Sequence, residues 1–565
     1  MELLAFYQQV NQFINEGNVE ALASLNPPKP EYFNWVEDIF VPLHVQPYGE
    51  QDALIWKYHQ DIQKFSFRSV YERGNQLLNF LRRKDISTSS IIYTMLPLIP
   101  ENWFTFLAGI KGGYISMPTA TNLVPKDLLY RFESLLPDVM IAHVDYAEKI
   151  DQAEEMLGTS IPLKVIVGGT RAGWIPFAEI QSESTECKAA PTKADDPFLY
   201  FFTSGTTGFP KIVVHSHFTY PVGHLSTLSW LGCQRGDIHY NISSPGWAKF
   251  AWSSFFAPWN AGATILANQV DAFDPKDQLQ TIADLGVSTF CGSPTVYRML
   301  IQENLNDYAF SLRSCCAAGE PLNPDVIDTW KKGTGVTIRD GYGQTETTAL
   351  VANFPGQVLK PGSMGKQSFL YEVGIFDENG QEVPPLEEGI ICVKLEAAKN
   401  NGLFLLYLDD EARTANSFQH NLYYTGDKAY KDEDGYIWFI GRNDDVIKAS
   451  AYRIGPFEVE SVLIEHPAVL ESAVVASPHP MRGYAVKAFV ILREGVEPNE
   501  ALASEIFAFS EERLAKYKVP RIIEFPATLP KTISGKIRRV ELRAMEASAK
   551  VNQEKRDQEH FHPKY

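Results

Sequence analysis

Apolar and polar positions along this chain follow two rhythms. Between about residues 52 and 195, short continuous apolar runs trade places with longer stretches of helical period. Ile91–Leu96, Tyr114–Met117, Val139–Val144 and Leu163–Val167 read as strands. Trp103–Ile110, Pro125–Leu136 and Tyr146–Leu157 read as the helices between them, with Asn122 a candidate cap for the second. Strands apolar on both faces need cover on both faces, so the alternation predicts a layered α/β domain. A second run of this kind follows: Thr264–Ala267, Pro275–Asp284, Thr289–Cys291, Pro294–Glu303 and Leu312–Ala317. Ahead of both, Leu3–Ile14 is amphipathic and ends at the breaker Asn26-Pro27-Pro28, which predicts a packed helix or a mobile lead. Between residues 356 and 440 the rhythm shortens. Paired apolar runs are interrupted by Asp377-Glu378-Asn379-Gly380 and Asp432-Glu433-Asp434-Gly435, which are hairpin signals, so a small β-rich subdomain is expected. Residues 550–565 are polar and read as a frayed tail.

Length and charge sharpen this division. At 565 residues the chain exceeds one compact core, so two or more domains are expected. The partition is a lead over 1–51, a large layered αβ domain over 52–443 and a small mobile α+β domain over 444–565, with the boundary at Gly441–Asp445. Residues 445–565 hold 18 Lys and Arg against 17 Asp and Glu, so the acidic excess of the whole chain, net −18, lies before the boundary. That balance argues against nucleic acid as a partner, though not against a local basic pocket. Lys516, Lys518, Arg521, Lys531, Lys536, Arg538, Arg539 and Arg543 form a basic cluster near the end. The longest apolar stretch, Trp252–Ala267, is broken by Pro258, Asn260 and Gly262, so no transmembrane span is expected. The first basic residue is Lys29, and no signal or transit segment is expected. Six cysteines without regular spacing read as free thiols of a reducing compartment, here the cytoplasm.

The chemistry concentrates in a few strings. Thr203–Lys211 reads TSGTTGFPK. Thr203, Ser204, Thr206 and Thr207 supply hydroxyl donors, Gly205 and Gly208 allow close backbone approach, and Lys211 brings a flexible point charge. Apolar runs Phe198–Phe202 and Ile212–Val214 flank it, so a hairpin with a phosphate-binding tip is expected. The loop is not that of P-loop NTPases, because Pro210 and Ile212 stand where that motif needs Gly and Ser or Thr. Asp340–Glu346 reads DGYGQTE: Gly341 and Gly343 bracket Tyr342, whose ring can stack on a base, Gln344 and Thr345 add polar groups, and Glu346 suits Mg²⁺ beside phosphates. Ala318-Gly319-Glu320-Pro321 follows a strand, and a plain strand-to-helix turn explains it equally well. Asp427, after Tyr424-Thr425-Gly426, can accept both hydroxyls of a ribose, or make an Asx-type turn. Lys536 follows Ser-Gly in PKTISGKIRR, where a lone lysine is ordinarily a solvated charge. His215 and His217, with His224 downstream, make zinc conceivable, but no third ligand at suitable spacing follows, and packing or a place beside the phosphates is the stronger reading.

These strings, in this order over about 197–540, resemble the adenylate-forming (AMP-binding) superfamily of acyl-CoA synthetases, luciferases and peptide-synthetase adenylation domains. PGWAKFAW at 245–252, AGEPLNP at 318–324 and YRIGPFEVES at 452–461 look most like medium-chain acyl-CoA synthetases, and next like acetyl-CoA synthetases. The resemblance implies that ATP and a carboxylic acid give an acyl-adenylate and pyrophosphate, after which coenzyme A gives acyl-CoA and AMP. It implies that Thr203–Lys211 holds the β- and γ-phosphates and Glu346 holds Mg²⁺. Gly319, Glu320, Pro321 and Asp340–Thr345 would line the adenine. Asp427 and Arg442 would take the ribose, and Arg453 would join the nucleotide site. Lys536 would bridge the substrate carboxylate and the α-phosphate, with its acetylation a family-based expectation. Ser450, Ala451, Tyr452, Arg482 and Arg521 would meet CoA, Trp247 would border the acyl group with help from Phe250, Trp252 and Cys291, and Asp444 would be the hinge. The acid implied is short or medium in chain, or branched or aromatic. One departure stands out: the resembled enzymes carry glycine where this chain has Ala451. An adenylating enzyme that hands its acyl group to a carrier protein or amine is the alternative. A non-catalytic nucleotide sensor is a third reading, against which Lys536 and Glu346 are both present. A homodimer is left open.

Overall fold

A computed structural model describes residues 2–203, 210–320, 322–396, 402–449, 452–479, 483–531, 536–551 and 558–563. Those residues form two compact units. The first takes residues 2–203, Pro210–Val373 and Val393–Asn421; the second takes Gly374–Cys392 and the described chain from Leu422 onward.

The first unit is built on two sheets. One runs in the order Leu406–Tyr407, Lys211–Ser216, Pro197–Thr203, Ile115–Pro118, Ile91–Met95, Val139–His143, Leu163–Val167, Ile175–Pro176. It is parallel from Pro197–Thr203 onward and antiparallel at the hairpin edge. Helices Glu101–Gly112, Pro125–Ser134 and Val144–Leu157 cross between its strands, and Tyr93, Phe132, Met140, Ile150 and Phe202 share one core. The other sheet has nine strands. Its parallel centre is Ile338–Tyr342, Ser314–Ala318, Thr289–Gly292, Ile238–Asn241, Thr264–Gln269 and Asp52–Tyr58, packed on Phe290, Tyr297, Leu300 and Trp330. The layered α/β expectation holds: helices cross between parallel strands such as Val139–His143, Leu163–Val167 and Ser314–Ala318, most of whose residues are buried.

One open expectation is decided and one local expectation changes. The N-terminal helix, Glu2–Glu16, is packed rather than mobile: Leu3, Phe6, Tyr7 and Val10 are buried, and Asn11 donates to the Asn260 carbonyl at 2.9 Å. The second crossing helix is not capped by Asn122. The helix begins at Pro125 as expected, but the Asp127 carboxylate accepts the Val124 N–H at 3.2 Å, so the cap lies two residues later, at Val124.

In the second unit, strands Val373–Phe376, Glu388–Lys394, Leu422–Lys431 and Ile437–Arg442 form the expected β-rich part. Asp432 makes the hairpin turn by accepting the N–H groups of Asp434 and Tyr436, with Gly435 at φ 83°. Beyond it, Val469–His479 and Gly483–Leu492 pair antiparallel and Ile522–Glu524 adds in parallel. Helices Pro456–Ile464 and Glu500–Arg513 share a core with them through Val459, Leu463, Val474, Val486, Ile506 and Ile523. The tail is not wholly frayed. Glu559–Phe561 pairs with Ile522–Glu524, and Glu559 reaches the buried Lys487 at 2.5 Å, so a residue read as solvated charge is an internal partner. Much of the basic cluster is likewise paired within the unit: Lys518 with Glu458, Arg539 with Glu460 and Arg543 with Asp445 in partly buried pairs, Lys531 with Glu471 and Arg538 with Glu541 at the surface. Less of it faces a ligand phosphate than the charge count implies.

Candidate active site

Pro197–Thr203 and Lys211–Ser216 pair antiparallel with Thr203 opposite Lys211, so the phosphate-loop candidate sits at a hairpin tip, as its apolar flanks imply. Ser204, Gly205, Thr206, Thr207 and Gly208 lie outside the described residues. Where the chain returns, the Tyr130 hydroxyl donates to the Pro210 carbonyl at 3.1 Å.

Lys211 points at a carboxylate. Its Nζ lies 3.2 Å from Oε1 of Glu346, and the same oxygen accepts the Tyr407 hydroxyl at 2.8 Å. The Lys211 ammonium also stands 3.9 Å from the centre of the Tyr407 ring. Glu346 is 8% exposed and Tyr407 4%. Burial, and after it the Glu346 charge, push the Tyr407 hydroxyl far above its ordinary range, so it remains a donor. Glu346 is fixed from its backbone as well: its carbonyl accepts the Phe404 N–H at 2.8 Å, and Leu406–Tyr407 pairs with Lys211–Ser216. Beside it, His215 Nε2 donates to the Thr345 carbonyl at 2.7 Å.

The histidines are neutral. Burial lowers His215 to about 4 and His217 to about 3, and takes His224 well below its usual value. His215 and His224 pack on the ring of Tyr220, and His224 stacks on Phe256. Among the described residues, the group with metal-holding geometry is Glu524, Glu546 and Glu559 and contains no histidine.

The base-binding candidates leave one sheet edge. Ser314–Ala318 and Ile338–Tyr342 are parallel neighbours, with Ala317 beside Asp340 and Ala318 beside Gly341, so Gly319–Glu320 and Tyr342–Thr345 emerge together at strand C-termini, where open α/β sheets bind ligands. Gly319 holds φ 103°, a conformation that glycine alone takes readily. The Glu320 side chain is tied to Thr295 and Arg298, which leaves its backbone to face a ligand; Pro321 lies outside the described residues. Asp340 is buried and accepts the Gly341 N–H at 2.9 Å; burial carries its carboxyl well above the usual range. At Gly343 a Cβ would meet the Thr348 carbonyl at 2.2 Å and the Trp252 ring at 2.4 Å, so only glycine lets the turn lie down. Tyr342 is half-buried, its carbonyl held by the Leu350 N–H, and the Gln344 N–H donates to Thr347 at 2.9 Å. Trp247 is half-buried at the start of helix Ala248–Ala251. Phe250 is core, packed on Trp103, and Trp252 and Cys291 are buried.

In the second unit, antiparallel pairing sets Asp427 opposite Arg442. The guanidinium Nε lies 4.0 Å from Asp427 and 3.5 Å from Asp444, so the ribose candidates and the hinge candidate share one charge. Tyr452 and Arg453 lie on strand Tyr452–Ile454, paired with Ile447–Ala449; Ser450, Ala451 and Arg482 lie outside the described residues. Arg521 donates to the Lys516 carbonyl at 2.9 Å. Lys536 is exposed; beside it Lys531 and Ile537 form an isolated bridge, and the Arg538 N–H donates to the Pro530 carbonyl.

Residues 43–401 match the AMP-binding enzyme family, and residues 458–536 match the AMP-binding enzyme C-terminal domain. The chain belongs to the AMP-binding enzyme family. Among curated members, 4-hydroxybutyrate–CoA ligase 1 of Metallosphaera sedula is 45% identical over 553 residues, 96% of each chain. The mitochondrial acyl-coenzyme A synthetase ACSM3 of Rattus norvegicus is 41% identical, over 92% of this chain and 91% of its own. Among solved structures, the anthranilate CoA ligase AuaEII in complex with anthranoyl-AMP superposes with a TM-score of 0.84 at 31% identity, over 92% of this chain and 99% of that one.

Within this AMP-binding fold, Tyr407 is the site neighbour that sequence reasoning missed, while His215 is packed, one of the two readings made of it. Tyr407 sits within the apolar run Leu403–Leu408 and carries no motif of its own. For Mg²⁺, the donor fits: a buried carboxylate oxygen, here beside Lys211 where the hydroxyl-rich string ends in sequence, is the hard ligand this ion takes beside phosphates.

Proposed function

We propose that the chain is an acid–thiol ligase. It activates a short- or medium-chain carboxylic acid with ATP to an acyl-adenylate, releasing pyrophosphate, and passes the acyl group to coenzyme A, releasing AMP. The observation that carries this reading is the buried pairing of Lys211 with Glu346 at the return of a hydroxyl-rich hairpin, in a chain of this family. A carboxylate attacking a phosphate brings negative charge to negative charge, and fixed cations at that place stabilise the transition state. Thr203–Lys211 takes the β- and γ-phosphates, and Glu346 would hold Mg²⁺. A bound Mg²⁺ supplies further neutralisation of phosphate charge. Gly319–Pro321 and Asp340–Thr345 line the adenine, Asp427 and Arg442 take the ribose, and Arg453 joins them. Lys536 spans the acid carboxylate and the α-phosphate.

Residues 444–565 act as a small mobile domain with its hinge at Asp444. Moving Lys536 away frees room for the thiol arm at Ser450–Tyr452, with Arg482 and Arg521 near the CoA phosphates. Exclusion of water around the acyl-adenylate protects it from hydrolysis. Trp247 bounds the acyl group. We place the enzyme in the cytoplasm, which the six free cysteines support.

The test is a pyrophosphate-release screen over acids from acetate to decanoate, with 4-hydroxybutyrate and benzoate, followed by loss of free CoA thiol. Release without thiol consumption would move the acyl group to a carrier protein or amine. Light scattering on the purified protein distinguishes a monomer from the homodimer.

A further inference from the structure

Tyr407 belongs to neither of the two phosphate-binding strings, yet it touches the charged member of each. Its hydroxyl donates to Glu346 Oε1 at 2.8 Å, and its ring carries the Lys211 ammonium at 3.9 Å. Lys211 itself is 3.2 Å from that same oxygen. The three groups therefore form a closed triangle: carboxylate to ammonium, ammonium to ring, hydroxyl to carboxylate. The tyrosine is held from several sides. Its N–H donates to Thr414 Oγ1 at 3.0 Å, its ring packs on Phe404 at 4.7 Å, and its backbone pairs with Val213 on the strand that Lys211 begins.

We infer that Tyr407 is a positioning residue that sets Glu346 and Lys211 for a metal–nucleoside triphosphate. The inference rests on the acid–thiol ligase reading. The physical need is plain. Two opposite charges left alone collapse onto each other, and a lysine spent on a carboxylate is unavailable to a phosphate. A neutral donor on the carboxylate takes part of its charge, and an aromatic face gives the ammonium a second resting place. Lys211 is then held near the loop without being locked to Glu346 alone, and it can turn to a phosphate when one arrives. Tyr407 touches no substrate in this scheme; it acts through the two side chains that do.

The hydroxyl and the ring can be separated. Tyr407→Phe keeps the ring and removes the donor; Tyr407→Leu removes both. Binding of α,β-methylene-ATP with Mg²⁺ is measured by calorimetry on the full chain, without acid, alongside binding of AMP without metal. AMP lacks the β- and γ-phosphates and serves as the internal control. A hydrogen bond to a charged group is among the stronger kinds, so Tyr407→Phe should weaken the Mg²⁺–triphosphate complex about tenfold and leave AMP within about twofold. Tyr407→Leu should weaken the triphosphate complex further. In steady state, Tyr407→Phe should raise the KM for Mg²⁺–ATP more than it lowers kcat. Equal losses for AMP and the triphosphate would assign Tyr407 to packing and overturn the inference, as would a triphosphate affinity equal to wild type. Wild-type protein that binds neither nucleotide would overturn the ligase reading first, and this inference with it.

Discussion

Lys487 tests how far the second unit depends on one buried charge. It lies on strand Gly483–Leu492 with no exposed side-chain surface, and its ammonium meets Glu524 at 2.7 Å, Glu546 at 2.6 Å and Glu559 at 2.5 Å. The three carboxylates have oxygens within 4.8 Å of one another, and Ser477 donates to Glu546 at 2.6 Å. Burial alone would pull the lysine down; hydrogen bonds to the three carboxylates more than reverse it, and the net shift is upward. A lysine raised in this way stabilises the fold fully below its unfolded pKa and loses that contribution only as pH climbs through the folded value. Its support is therefore intact across the neutral range. Lys487→Met keeps the apolar stem and strands three carboxylates without their cation. Removing one partner from a buried pair costs about 3–5 kcal/mol, and with three acceptors stranded the upper half of that range is expected. About 4 kcal/mol corresponds to a roughly thousandfold rise in the open population, since each 1.4 kcal/mol is a factor of ten. The assay is hydrogen exchange by mass spectrometry on the full chain at pH 7, read on peptides from Val469–His479 and Gly483–Leu492. Lowering the pH should narrow the gap, because the stranded carboxylates take up protons. Adding Glu524→Gln, Glu546→Gln and Glu559→Gln to the lysine variant should narrow it too. Exchange in Lys487→Met within tenfold of wild type at pH 7 would refute the reasoning.

Four further outcomes are expected. Lys536→Ala should abolish acyl-adenylate formation while still accepting preformed acyl-adenylate and CoA; pyrophosphate release near the wild-type rate would remove it from the site. Trp247→Gly should shift preference towards longer acids, visible in relative kcat/KM because one methylene in an apolar pocket is worth roughly 1–3 kcal/mol. Burial holds His44, His217 and His239 at about 3 and His215 at about 4, so their neutral forms stabilise the fold above their unfolded value near 6.5. The urea midpoint should therefore fall steadily as pH drops from 6.5 to 4, and a flat midpoint would contradict their burial. Ala451→Gly should speed thioester formation more than adenylation in single-turnover kinetics, since alanine disfavours a positive φ by about 1–2 kcal/mol; equal effects on both steps would separate residue 451 from the thiol step.

How much of the fold was legible follows from the kind of signal each element gives. Parallel strands buried on both faces appear as unbroken apolar runs, and Leu163–Val167 and Pro275–Asp284 start and stop where the pattern says. Hairpin turns are written in Asp and Gly, so 377–380 and 432–435 were readable. What escaped was structure held by partners far along the chain. Glu559–Phe561 is a three-residue strand whose reason is Lys487, 72 positions earlier, and no local period records that. The start of helix Pro125–Ser134 was read correctly but its cap was not: Asn122 is a good cap by type, yet Pro125 and Asp127 together put the cap at Val124.

The site divides along the same line, and the division has a physical cause. Groups that meet a phosphate or a base must be small, flexible or charged, and those residue types stand out against an apolar background; Thr203–Lys211 and Asp340–Glu346, the strings proposed for those roles, are conspicuous for that reason. Groups that hold those residues in place need only the right shape, and shape is common. Tyr407 is one of 25 tyrosines and sits in an ordinary apolar run. Its hydroxyl matters because pairing of Leu406–Tyr407 with Lys211–Ser216 brings it to Glu346, residues separated by 61 positions. The sheet edge is thus where two strings of different origin become one electrostatic unit. The same argument explains the basic cluster near the end of the chain. A count of charges cannot tell an arginine that waits for a phosphate from one that binds Glu460 or Asp445, and here Arg539 and Arg543 are of the second kind. Lys536 differs from them in being exposed, next to the bridge between Lys531 and Ile537, as the role proposed for it requires of a cation that must reach a ligand.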